Sequence, residues 1–92
     1  MKLFPFRLYK INGHSMQPTL HSGQYVLGRL SSEIKNGELA IVNLSGQMLL
    51  KRVREINSAS VYLEGDNEHD SLDSRDFGWL PKSAMLAKAI WY

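Results

Sequence analysis

Short apolar segments separated by polar breaks run along most of the chain. Residues 6–11 (FRLYKI), 24–30 (QYVLGRL), 39–44 (LAIVNL), 47–56 (QMLLKRVREI), 59–64 (ASVYLE) and 85–91 (MLAKAIW) are rich in β-branched and aromatic residues and read as strands. The breaks carry turn residues: Ser22-Gly23, Asn36-Gly37, Ser45-Gly46 and Asn57-Ser58. Of these, Asn36-Gly37 and Ser45-Gly46 close gaps short enough for hairpins. Only residues 31–36 and 82–87 suit a helical turn, so the expected fold is all-β, with at most one or two short helical turns. Residues 64–76 (EGDNEHDSLDSRD) lack apolar periodicity and read as a loop.

Length narrows the architecture to a single domain, residues 1–92, near the lower end of what buries a self-sufficient core. The chain has no cysteine, which excludes disulfides and thiolate metal sites. Eleven Lys and Arg against nine Asp and Glu give a net charge of +2. Apart from Lys51, Arg52 and Arg54 the basic residues are scattered, too thinly to argue for nucleic acid. The start, MKLFPFRLYKI, is apolar, but Pro5, Arg7 and Lys10 interrupt it before a secretory or membrane-spanning segment could form. The expectation is a soluble, cytoplasmic protein without a transmembrane segment. Leu3, Phe4 and Phe6 leave open a contact with the core, a second copy or a membrane surface.

Candidate chemistry centres on residues 13–20, GHSMQPTL, where a glycine and a proline bend the chain around Ser15. A serine hydroxyl is a poor nucleophile without a base nearby. His14 is adjacent in sequence, but neighbouring side chains of an extended chain point to opposite faces, which turns its imidazole away. A lysine is the alternative. In MLLKRV, alternation places Leu49, Lys51 and Val53 on one face and Leu50, Arg52 and Arg54 on the other. An amine held between two inward apolar neighbours is desolvated, which lowers its pKa towards that of a usable general base. His14, His21, His69, Asp66 and Asp70 have spacings that fit no standard metal site, so neither metal nor other cofactor is expected.

Three blocks, in order, resemble those of the type I signal peptidases and their small relatives, which hydrolyse peptides with a serine and lysine dyad. Ser15-Met16-Gln17-Pro18-Thr19-Leu20 resembles the nucleophile box, and Lys51-Arg52-Val53 the lysine box. Gly65-Asp66-Asn67 through Ser71, Asp73, Ser74 and Arg75 resembles the third box, followed by the closing stretch Gly78-Trp79-Leu80-Pro81. The resemblance implies a small catalytic β-domain like those of signal peptidases and self-cleaving repressors. It implies Ser15 as nucleophile, Lys51 as general base and Ser71 as the group that aims the lysine amine. The Ser15 backbone N–H would be one oxyanion donor. Gly13 stands where many signal peptidases carry a second, hydroxyl donor. An Asp73–Arg75 ion pair, with Gly65 and Asp66, would support the third-box loop, and Ile11, Met16, Leu20, Leu49 and Leu50 would wall shallow pockets for a substrate bound as an added strand.

Housekeeping signal peptidases carry membrane helices before the serine box and a large β-domain after the lysine box. Neither is present in this sequence. Size and the stretch LEGDNEHDSLDSRDFGWLP are most similar to the nickel-type superoxide dismutase maturation proteases. That likeness implies an endopeptidase removing an N-terminal leader from such a precursor. Two alternatives stand beside it: the catalytic part of a membrane signal peptidase, and a peptide-binding or self-cleaving regulatory module with its cut near Ala59 or Ala84.

Overall fold

Ser45 and Gly46 set the middle of the sheet. Both have positive φ, 51° and 86°, as a two-residue type I′ connection requires, and Asn43 Oδ1 accepts a hydrogen bond from the Gly46 N–H at 2.9 Å. They join β3 (Leu39–Leu44) to β4 (Gln47–Ile56), with Leu39 opposite Arg52 and Leu44 opposite Gln47. Asn57 closes the next hairpin, from β4 to β5 (Ser60–Glu64), its side-chain oxygen accepting from the Ala59 and Ser60 N–H groups at 2.9 and 2.7 Å. The computed structural model from which this description is drawn covers residues 5–30, 33–69 and 72–92.

The expected hairpin at Asn36-Gly37 does not form. β7 (Met85–Trp91) lies between β2 (Tyr25–Arg29) and β3, and the seven strands run in the order β1-β2-β7-β3-β4-β5-β6, every neighbouring pair antiparallel. The edges are β1 (Phe6–Lys10) and β6 (Leu80–Pro81). Residues 37 and 38 are already committed to β4: the Gly37 N–H donates to Val53 O at 2.7 Å, and the Val53 N–H donates to Glu38 O at 2.8 Å. The turn therefore feeds β3 into its pairing with β4 instead of returning the chain to β2.

Two apolar clusters fill the two faces of β3. Alternation sends Ala40 and Val42 into a cluster with Val53, Val61, Leu63, Leu80 and Met85, and Leu39 into one with Ile11, Met16, Leu20, Val26 and Ala89. Residues 39–42 are all buried, so β3 is covered on both sides. β4 divides likewise, Leu49 packing on the first cluster and Leu50 on the second.

The architecture is all-β, as the strand pattern predicts, and each of the six predicted segments contains a strand. Residues 64–76 are not wholly loop: Ser74–Phe77 form a short helix, α1. Asp73 caps it, its carboxylate accepting from the Arg75 N–H at 3.0 Å while the Asp76 carboxylate accepts from the Asp73 N–H at 3.1 Å. That reciprocal arrangement is a capping box, a signal that four residues are too few to reinforce with periodicity. Lys82–Ala84 make a 3-10 turn, whereas residues 33–36 are not helical, and the rest of the 31–36 segment lies outside the described residues. Among the described residues no helix is long and apolar enough to cross a membrane.

Candidate active site

The serine turn is a loop between β1 and β2, closed at its neck by backbone. The Ile11 N–H donates to Gln24 O and the Gly23 N–H to Ile11 O, both at 2.8 Å. Gly13 has φ +94°, a left-handed conformation that favours glycine, and its N–H donates to Ser22 Oγ at 3.3 Å. The Gln17–Pro18 peptide is cis. Met16 and Leu20 are 1% and 0% exposed and fasten the turn to the second cluster. Ser15, between the bend and this anchor, is left half-buried at the surface. His14 is exposed, with Nδ1 3.0 Å from Gln17 Nε2. Among the described residues no group of three or more acidic or histidine side chains is placed to hold a metal ion.

Lys51 lies in β4 opposite Ala40 and is 2% exposed. Leu49 and Val53, its alternation partners, both pack into the first cluster. The adjacent residue, Arg52, connects this strand to the serine turn. Its guanidinium donates from Nε and Nη2 to the two oxygens of Asp66, at 2.9 and 2.8 Å, and from Nη1 to Gly37 O at 2.7 Å. The Thr19 hydroxyl donates to Asp66 Oδ2 at 2.6 Å. Asp66 therefore ties the serine turn to the strand that carries Lys51. The Arg52 guanidinium, with a smaller contribution from the Thr19 hydroxyl, holds the Asp66 carboxyl below the usual carboxylate range. Asn67 adds two bonds, its N–H to Ser15 O at 2.8 Å and its side-chain amide to His14 O at 3.0 Å.

Behind this clamp, Asp73 organises the rest of the third block. Its buried carboxylate accepts from the Gly65 N–H at 2.8 Å and pairs with the Arg75 guanidinium, which also reaches Gly65 O at 3.4 Å. Ser74 Oγ accepts from the Leu63 N–H at 2.8 Å, fastening the start of α1 to β5. Ser71 and Asp70 lie outside the described residues.

A groove of about 590 Å³ starts at Ser15 and Met16 and runs between Arg7–Asn12 on one wall and Gly46–Leu50 on the other, over Val26 and Ile41. Of the residues expected to wall the pockets, Ile11, Met16, Leu49 and Leu50 line it. Leu20 does not: it is fully buried, and its place is in the core that anchors the turn. Both walls have unpaired backbone among the described residues. β1 pairs only with β2, and Gln47–Lys51 pair only with β3 because β5 joins β4 from Arg52 onward. The sequence had given no role to Thr19, Arg52 or Asn67. Their signal was position alone, each lying inside one of the three blocks.

The profile of the family described as Peptidase S24-like matches residues 5–78, which includes the serine turn, β4 and the Asp66–Asp73 segment. The chain belongs to that family. No curated protein matches it. Membership in the S24-like peptidases gives serine-peptidase chemistry as the activity and a protein as the substrate class. It fits the seven-stranded all-β architecture.

Proposed function

We propose that this protein is a serine endopeptidase in which Ser15 is the nucleophile and Lys51 the general base. The observation that carries this reading is a lysine 2% exposed within the strand that the hydrogen-bonded bridge Thr19–Asp66–Arg52 ties to the serine turn. Ser15 Oγ attacks the scissile carbonyl as the neutral Lys51 amine accepts its proton. The oxyanion accepts a hydrogen bond from the Ser15 N–H. Collapse of the tetrahedral adduct breaks the C–N bond, and the Lys51 ammonium returns the proton to the leaving amine. Water then hydrolyses the acyl-serine by the same proton route. Burial of Lys51 at 2% exposure favours the neutral amine that this cycle starts from.

The substrate that this reading favours is an extended segment lying in the groove and adding to the free edges of β1 and β4. On the likeness of residues 63–81, that segment is the leader junction of a nickel-type superoxide dismutase precursor. Incubating purified protein with such a precursor should give one cleaved product, with Ser15→Ala and Lys51→Met each lowering the rate by at least about 10³-fold. Unchanged cleavage by either variant would overturn the dyad, and an intact precursor would overturn the substrate.

Self-cleavage is the second reading, favoured by the S24-like match. The two candidate sites lie elsewhere than the groove. Ala59 sits in the β4–β5 turn, where its carbonyl accepts from the Lys82 N–H at 2.9 Å, and Ala84 ends a 3-10 turn packed on the first cluster. Cleavage in trans therefore fits the described residues better.

A further inference from the structure

We propose that the groove selects peptide substrates with an acidic side chain about two to five residues from the scissile bond, on the side that lies along β1. This rests on the reading of the groove as the substrate channel, and it adds a specificity that the dyad chemistry does not require. Two cations, Arg7 and Lys10, line the groove on one wall, and among the described residues no Asp or Glu lines it. Both are exposed, and neither forms an ion pair with a described residue. The other cations near the site behave differently: Arg52 is held by Asp66 and Arg75 by Asp73. The rest of the lining is apolar or uncharged, so the field of the two free cations is not cancelled locally and is focused by low-dielectric walls.

Their placement sets the register. Lys10 adjoins Ile11, beside the serine turn, and Arg7 lies three residues further out along β1, about 10 Å away and on the opposite face, so that the two flank the strand's free edge. Ile11, Met16 and Leu50, which line the groove and pack together in the cluster under the serine turn, are apolar and have no complement for a charge at the cut itself. An acidic residue thus fits beyond the bond, with small uncharged residues at it.

Two extended dodecapeptides, differing only in Glu against Gln at those outer positions and carrying small residues at the cut, test the idea. Binding is followed by amide shifts of the ¹⁵N-labelled full chain, so the measurement does not depend on cleavage, and kcat/KM is measured in parallel. The expected result is shifts at residues 7–12 and 46–50 with both peptides, and a Kd for the Glu peptide lower by about two- to fivefold per cation at low salt. Most of that advantage should vanish at about 500 mM NaCl. Arg7→Gln with Lys10→Gln should bring the ratio of the two peptides' Kd values to about one. Equal affinities in wild type, a preference that survives the double variant, or an absence of shifts in the groove would each overturn the proposal. A Glu preference in binding without cleavage of either peptide would uphold it and overturn the catalytic reading instead.

Discussion

Asp66 accepts hydrogen bonds from Thr19 in the serine turn and Arg52 in β4, so its ionisation couples the two halves of the site. The Arg52 guanidinium lowers its pKa in the folded chain. A carboxylate depressed in this way contributes stability fully above its unfolded value, about 3.9, and loses the contribution as pH falls through the folded value. Asp66→Asn should therefore cost about 1–3 kcal/mol at pH 7 and flatten the acid limb of stability below about pH 4, read by urea unfolding across pH. Because the substitution also loosens the serine turn, kcat should fall more than stability alone explains. Two glycines separate backbone strain from steric conflict. A Cβ at Gly13 would meet nothing within 4 Å, so Gly13→Ala should cost only the left-handed strain, about 1–2 kcal/mol. A Cβ at Gly28 would lie 2.8 Å from Tyr9 Cε2, 3.0 Å from Ile41 Cδ1 and 3.1 Å from Ala87 Cβ. Tyr9 and Ile41 line the groove, so Gly28→Ala should cost about 1–3 kcal/mol and also raise KM, a change that thermal melts and peptide kinetics would separate.

At the scale of elements, strand formation was legible and strand order was not. Every strand but β6, only Leu80–Pro81, announces itself through a run of apolar and β-branched residues beside a turn, as at Ser45-Gly46 with its two positive φ values. The insertion of β7 between β2 and β3 depends on pairing across half the chain, such as Gly28 opposite Ala89 and Ile41 opposite Ala87, and no local pattern encodes that. The burial of Lys51 was readable because Leu49 and Val53 flank it in alternation, whereas the clamp was hidden because Thr19, Arg52 and Asp66 meet only in three dimensions. α1 escaped for the opposite reason, being too short for periodicity and held by its cap. That cap carries a prediction. Asp73 is fully buried, caps α1, accepts from Gly65 and pairs with Arg75, so Asp73→Ala removes the acceptor of two amides, Gly65 and Arg75, and the partner of a guanidinium. The expected cost is about 2–4 kcal/mol, from the lost cap and the unpaired Gly65 amide. For a chain of this length that is roughly 4–8 °C in Tm per kcal/mol, readable by differential scanning calorimetry.

Across the whole molecule, stability and binding are assigned to different parts of one sheet. β3 is buried on both faces and paired on both edges, so its amides open only when the sheet itself comes apart. β1 is an exposed edge strand held by β2 alone, and Gln47–Leu50 project beyond the end of β5. These two weakly held strands are the ones that face each other across the groove, and their unpaired backbone groups are what an extended peptide would complete. Hydrogen exchange on the free chain should therefore be slowest in β3 and fast in β1 and at the start of β4. A bound peptide should slow exchange more in Phe6–Lys10 and Gln47–Leu50 than in β5 and the β4–β5 turn. Protection spread evenly over the sheet would mean that the ligand acts through global stability, because mass action on the folded state slows the globally exchanging amides of β3 as well. Protection at the two edges in excess of the rise that β3 shows would mark a substrate held by added strand pairing, with Ser15 at one end of the strand it forms.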